Sequence, residues 1–134
     1  MVLVTTDERR TVDIGDSSTM FSVYSTVEIL LKRKTKKIGT AKDFLKTGRC
    51  DPNNAIKCAR EMNLIRDFLS NYSPEKAVWN CCDKSMLPPW HNNLSPVVTS
   101  CANLYTTADG KDLLYEFVSI LTYAGLTGCS VESI

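Results

Sequence analysis

Apolar and polar positions alternate along residues 2–14, VLVTTDERRTVDI, and the pattern stops at Gly15-Asp16. Period-two alternation of β-branched residues predicts a short strand, or a two-stranded hairpin turning near Asp7-Glu8. The period then changes. Phe21, Tyr24, Val27, Glu28 and Leu31 follow helical spacing, and Met20, Val23 and Leu30 widen the stripe, predicting an amphipathic helix from about Ser18 to Lys32. Ser17, Ser18 and Thr19 are its N-cap candidates. Residues 39–48 read as a short turn that buries Phe44 and Leu45. Asp51-Pro52 is a strong helix opening, and Ala55, Cys58, Ala59, Met62, Ile65, Phe68 and Leu69 form one apolar face that runs to about Asn71.

Ala77–Cys82 reads as a strand. From Asp83 to Ser95 the prolines remove backbone donors and restrict the residues before them, so a stiff loop carrying Met86, Leu87, Trp90 and His91 is expected. Residues 97–107 are ambiguous, with strand-like composition at Val97–Thr99 and Leu104–Thr106. Asp109-Gly110 signals a turn, and Asp109 is a candidate cap for a helix through Leu113, Leu114, Phe117, Ile120 and Leu121, with Gly125 as its stop. Alternation from Cys129 to Ile134 predicts a last strand. Helices and strands mix without a strict βαβ rhythm, which predicts an α+β fold: a small mixed or antiparallel sheet packed on one side by two to three helices.

Length and composition bound this picture without adding chemistry. The chain has 134 residues, 43% hydrophobic and 23% charged, which fits one globular domain over residues 1–134. The formal net charge is +1, but five of the sixteen basic residues fall in Lys32–Lys37. Elsewhere eleven basic residues face fifteen acidic ones, a net −4. One basic loop on a mildly acidic body is therefore expected. It reads as a solvated helix end, where cations favour the negative end of the helix dipole. The alternative is a small nucleic-acid-binding module using this segment, although no aromatic residue is interleaved with the run.

No basic segment followed by an apolar core opens the chain, and no apolar stretch approaches the ~20 residues that span a bilayer. A cytoplasmic location without a membrane partner is the expectation. Six cysteines, Cys50, Cys58, Cys81, Cys82, Cys101 and Cys129, then read as small apolar side chains rather than a disulfide framework. There is no C-x-x-C, and His91 is the only histidine, so no cofactor or metal is expected. A thiol enzyme or metal protein using the cysteines with His91 is a further alternative. No nucleophile-elbow, phosphate-loop or dinucleotide motif occurs. Trp90, fixed by Pro88-Pro89, is a candidate contact residue, since tryptophan concentrates binding energy at interfaces.

Residues 72–112, YSPEKAVWNCCDKSMLPPWHNNLSPVVTSCANLYTTADGKD, resemble the bacterial immunity protein 70 family. The resemblance is carried by Ser73, Pro74, Lys76, Val78 and Trp79, then by Pro88, Pro89, Trp90, Asn93 and Ser95. Thr99, Ser100, Ala102, Asn103, Tyr105, Thr107 and the run Asp109–Leu113 complete it. The IGDSSTMFSVYSTVEILL segment and the terminal SVESI are also similar to that family, while residues 33–54 fit poorly. Two departures stand out: Asn80-Cys81-Cys82 occupies a usually acidic stretch, and His91-Asn92 replaces Gly-Asp.

The resemblance implies a non-enzymatic immunity protein that binds a cognate toxin C-terminal domain of a polymorphic or contact-dependent system. The implied toxin is a nuclease, blocked by stoichiometric occlusion. An acidic face would speed association with a cationic nuclease groove. The candidate contact residues are Asp83, Trp90 and His91 on the loop, with Asp109, Asp112 and Glu116 at the start of the last helix, where Asp112 and Glu116 share a face. Nucleic acid is not expected as a partner.

Overall fold

The computed structural model describes residues 1–134. Strands β1 (Val2–Thr5), β2 (Thr11–Asp13) and β3 (Val131–Ser133) form an antiparallel sheet in the order β2-β1-β3. Leu3 pairs with Val12 on one side and Ser133 on the other, so the first strand is central and the last residues of the chain close its open edge. The hairpin turns at the expected place: Asp7 accepts from Thr5 Oγ1 at 2.6 Å and from the Arg9 N–H at 3.0 Å, and Tyr123 Oη donates to it from the last helix at 2.6 Å.

Four helices accompany the sheet: α1 (Ser17–Leu30), α2 (Thr35–Thr47), α3 (Pro52–Leu69) and α4 (Leu113–Thr127). They pack in sequence order, α1 on α2, α2 on α3, α3 on α4, and α4 also rests on β2 and β3. Phe44 of α2 meets Phe117 of α4 edge to face, centroids 5.5 Å apart. Around this pair lie Leu45, Met62, Ile65, Leu113, Leu114 and Leu121, all essentially without solvent access.

The fold class is α+β as expected, with one more helix than the pattern suggested. Residues 39–48 are the body of α2, not a turn. Ile38 departs from helical geometry (φ −130°), which kinks α2 and leaves new N–H donors at the restart. Glu61, buried on α3, satisfies them: its Oε1 accepts from Thr40 N at 2.8 Å and Ala41 N at 3.2 Å. The cap is supplied from another helix, so no local signal announces it. Lys32–Lys37 is likewise not a loop, since Lys32–Lys34 forms a 3-10 turn that runs into the first turn of α2.

Helix termini also differ from the expected ones. Asp16 caps α1 by accepting from Ser18 N at 2.9 Å, displacing the Ser17–Thr19 candidates. Asp112, not Asp109, caps α4 by accepting from Tyr115 N at 3.2 Å. The helix passes through Gly125 and stops at Gly128, whose φ of +74° is the left-handed conformation typical of a helix end.

The two strands expected between α3 and α4 are absent. Ala77–Cys82 bonds to helix side chains rather than to a sheet: Val78 N donates to Thr26 Oγ1 at 2.9 Å, and Cys81 N donates to Ser25 Oγ at 3.0 Å. Residues 97–107 form turns, with one bridge between Thr106 and Asp112. No helix is long and apolar enough to cross a membrane.

Candidate protein-binding face

Helix α1 turns an unexpected side inward. Ser22, Ser25 and Thr26 are fully buried, whereas Phe21, placed on the apolar stripe by spacing, is partly exposed. The hydroxyls form a polar seam against the long connection that follows α3. Ser22 Oγ donates to the Val78 carbonyl at 2.9 Å, and the Tyr105 hydroxyl lies 2.9 Å from Ser22 Oγ and 2.8 Å from Thr26 Oγ1. Burial pushes the Tyr105 hydroxyl up to about 12, so it stays a neutral hydrogen-bonding group. Every buried side-chain nitrogen and oxygen has a partner. A satisfied network of this kind fixes one arrangement of an otherwise irregular segment.

Three aromatic rings build outward from that anchor. Trp90 packs edge-on to Tyr105 at 5.7 Å and edge-on to Trp79 at 5.5 Å. The loop holds Trp90 through two successive turns, His91 N donating to the Pro88 carbonyl at 3.0 Å and Asn93 N to the Trp90 carbonyl at 2.8 Å. Asn92 between them takes φ +60°, a left-handed position that asparagine tolerates better than most residues. Trp79 and Trp90 then wall a cleft of about 500 Å³, with Pro74, Val78, Met86, Leu87 and Leu94 as further apolar lining and Glu75, Lys84, His91 and Asn92 as its polar lining. Met86 and Leu87 stand exposed on its rim, at 46% and 60%. Trp90 thus both seals the core and lines an open apolar cleft.

The six candidate contact residues fall into separate places. Trp90 and His91 line the aromatic cleft. Asp83 lies on the same loop but outside the cleft, turned onto its own chain: Ser85 N and Ser85 Oγ donate to it at 3.1 and 2.6 Å. Asp109 and Glu116 line a different, shallow groove with Asp13 of β2, which shares no wall with the cleft. The Thr107 hydroxyl, donating at 2.5 Å, holds the Asp109 carboxyl below its ordinary range. Asp112 is outside that groove, occupied by its cap. Trp79, Met86, Leu87 and Leu94 were not singled out from sequence as contact residues. Trp79 had a signal, being part of the resemblance; the others are ordinary apolar residues until the loop closes.

The thiols offer no activated nucleophile beside His91. No cysteine lines its cleft. The adjacent Cys81 thiol pushes exposed Cys82 up, and burial pushes Cys101 up to about 11. Cys50 is shifted down by the neighbouring Cys58 thiol, but both are buried in the core. All six cysteines are free thiols, and no three His, Cys, Asp or Glu side chains converge as metal ligands. What the face provides is a rigid aromatic cleft with an apolar rim, suited to receive a protruding side chain of another macromolecule.

A family model described as Immunity protein 70 matches residues 5–132. No curated protein and no solved structure matches the chain.

Proposed function

From its membership of the immunity protein 70 family, to which this chain belongs across nearly its whole length, we propose that it neutralises a cognate toxin domain by binding it one to one in the cytoplasm and occluding it. The family match carries this reading. The toxin is the C-terminal domain of a polymorphic or contact-dependent toxin, a nuclease in the version that best suits an acidic inhibitor face. The protein itself turns over no substrate and takes no cofactor.

The geometry supports a division of labour. The cleft walled by Trp79 and Trp90 supplies an apolar anchor site, and a tryptophan already fixed by packing loses little side-chain entropy on binding. His91 lines it, and Asp83 lies outside it on the same loop. Asp109, Asp112 and Glu116 place negative charge at the start of α4, where it steers association with a cationic partner more than it adds affinity.

Co-expression tests the proposal. The toxin domain encoded beside this chain, expressed alone, should arrest growth, and the intact protein should restore it and co-purify at one to one. Growth arrest that persists despite abundant folded protein would refute it, as would the absence of a complex between the purified components.

A further inference from the structure

The basic run has an environment that its sequence does not reveal. Lys32, Arg33 and Lys34 line a second groove, about 870 Å³, together with Ile29, Leu30, Leu31, Phe68, Asn71 and Tyr72. No carboxylate lines it. The ion pairs of the molecule are Lys42–Glu28, Arg49–Glu132 and Lys111–Asp109, so none of the five cations in Lys32–Lys37 has an acidic partner. All five are exposed. Five unpaired like charges within two turns repel one another, and an anionic partner relieves that repulsion.

The groove and the aromatic cleft are neighbours. Tyr72 lines the first and Pro74 the second, and Tyr72 is tied to the end of α1 by a hydrogen bond from its hydroxyl to the Leu30 carbonyl at 3.2 Å. One partner covering the segment Tyr72–Pro74 reaches both.

We infer that this groove docks an acidic segment of the toxin domain, with an apolar residue seated on Ile29 and Leu30 and carboxylates facing Lys32, Arg33 and Lys34. The inference rests on the toxin-binding reading and deepens it by giving the chemistry of one contact. A polypeptide suits the groove better than single-stranded nucleic acid. Base binding needs free aromatic faces, yet the Lys34 ammonium already lies over the Phe68 ring, 5.1 Å from its centroid. The net −4 of the rest of the chain also repels a polyanion that extends beyond the groove.

The experiment uses the full chain, the toxin domain encoded beside it and a labelled twenty-nucleotide thymidine oligomer, with association followed from 50 to 500 mM salt. The test variant is Lys32→Glu/Arg33→Glu, which leaves Lys34 on Phe68. The control is Lys46→Glu/Lys57→Glu, the same charge change in the separate groove between α2 and α3. The expected result is toxin association slowed about tenfold or more at low salt in the test variant, with a flattened salt dependence, and a much smaller change in the control. Equal effects of the two variants, or none from the test variant, would overturn the groove assignment while leaving toxin binding intact. Tight, salt-sensitive capture of the oligomer that the test variant abolishes would replace the acidic segment with nucleic acid. If the unaltered chain neither binds nor rescues, the toxin-binding reading itself has failed.

Discussion

Trp90 stands edge-on to Tyr105, ring centroids 5.7 Å apart and planes at 85°, and the Tyr105 hydroxyl is rooted in Ser22 and Thr26 of α1. The exposed loop is thereby wired to a buried polar seam. Tyr105→Phe keeps the ring under Trp90 and removes only the hydroxyl. The loss of buried hydrogen bonds should cost about 1–3 kcal/mol, read by urea denaturation. The pH profile gives a second readout. A hydroxyl raised from 10.0 to about 12 in the fold favours the folded state fully below pH 10, and that contribution is lost as pH rises through 12. The phenylalanine variant should therefore show a shallower alkaline decline. An unchanged profile would mean that Tyr105 does not titrate with unfolding.

The cleft gives a prediction that separates binding from folding. Leu87, 60% exposed on the rim, contributes little to stability, so Leu87→Ser should shift the melting temperature by no more than a degree or so while weakening toxin binding. Trp90→Ala should weaken binding by about 2 kcal/mol or more and also lower stability, because it uncovers Tyr105. Calorimetric titration alongside thermal melts checks both. Wild-type affinity in both variants would move the contact away from this cleft.

At the start of α4, charge and capping reside in the same side chain. Asp112→Ala removes the acceptor for the Tyr115 N–H and should destabilise the protein by about 1 kcal/mol. Asp112→Asn keeps an acceptor in place and removes the charge, so stability should stay close to wild type. If the charge steers the toxin, both variants should slow association to a similar degree at low salt. Slowing by the alanine variant alone would assign Asp112 a purely structural role.

Elements whose stabilising partners are local were legible in the sequence. The β1–β2 hairpin, α1, α3 and α4 follow from period and punctuation within each segment, and the last strand from its own alternation, although its partner β1 lies at the other end of the chain. The failures share a physical cause: the deciding partner is distant in sequence. Helix α2 restarts after Ile38 because Glu61 caps it from twenty residues away. Ala77–Cys82 has strand composition, but its donors meet Ser25 and Thr26 of α1. Those same hydroxyls lie off the apolar stripe that spacing picks out, because spacing ranks a serine as polar without knowing that a tyrosine awaits it. The candidate site was legible as far as the loop and Trp90. Its depth, with Trp79 as second wall, and the anchoring of Trp90 on Tyr105 depend on the seam. The basic run lacked aromatic neighbours in sequence and acquired Phe68 and Tyr72 only through packing.

Gly125 shows the same limit in one residue. By sequence it resembles a helix stop, yet it lies inside α4 where that helix crosses α3. A Cβ there would come within 2.5 Å of Ile56 Cγ1 and Cδ1 and 3.1 Å of the Ile56 backbone nitrogen. The side-chain end could rotate away, but the backbone nitrogen could not. Gly125→Ala gains helix propensity worth about 1 kcal/mol and must push apart two helices whose interface is the largest in the fold. Overpacking of a tight interface typically costs about 1–3 kcal/mol, so the net effect should be destabilising. Combining it with Ile56→Val, which withdraws Cδ1 from the crowded contact, should recover part of the loss. Gly128→Ala is the informative contrast: nothing lies near its Cβ, and its φ of +74° alone sets the cost. Urea denaturation of Gly125→Ala and Gly128→Ala, each with and without Ile56→Val, distinguishes the mechanisms, because relief by Ile56→Val is expected for Gly125→Ala and not for Gly128→Ala. A Gly125→Ala protein as stable as wild type would show that α3 and α4 pack less closely than 2.5 Å implies.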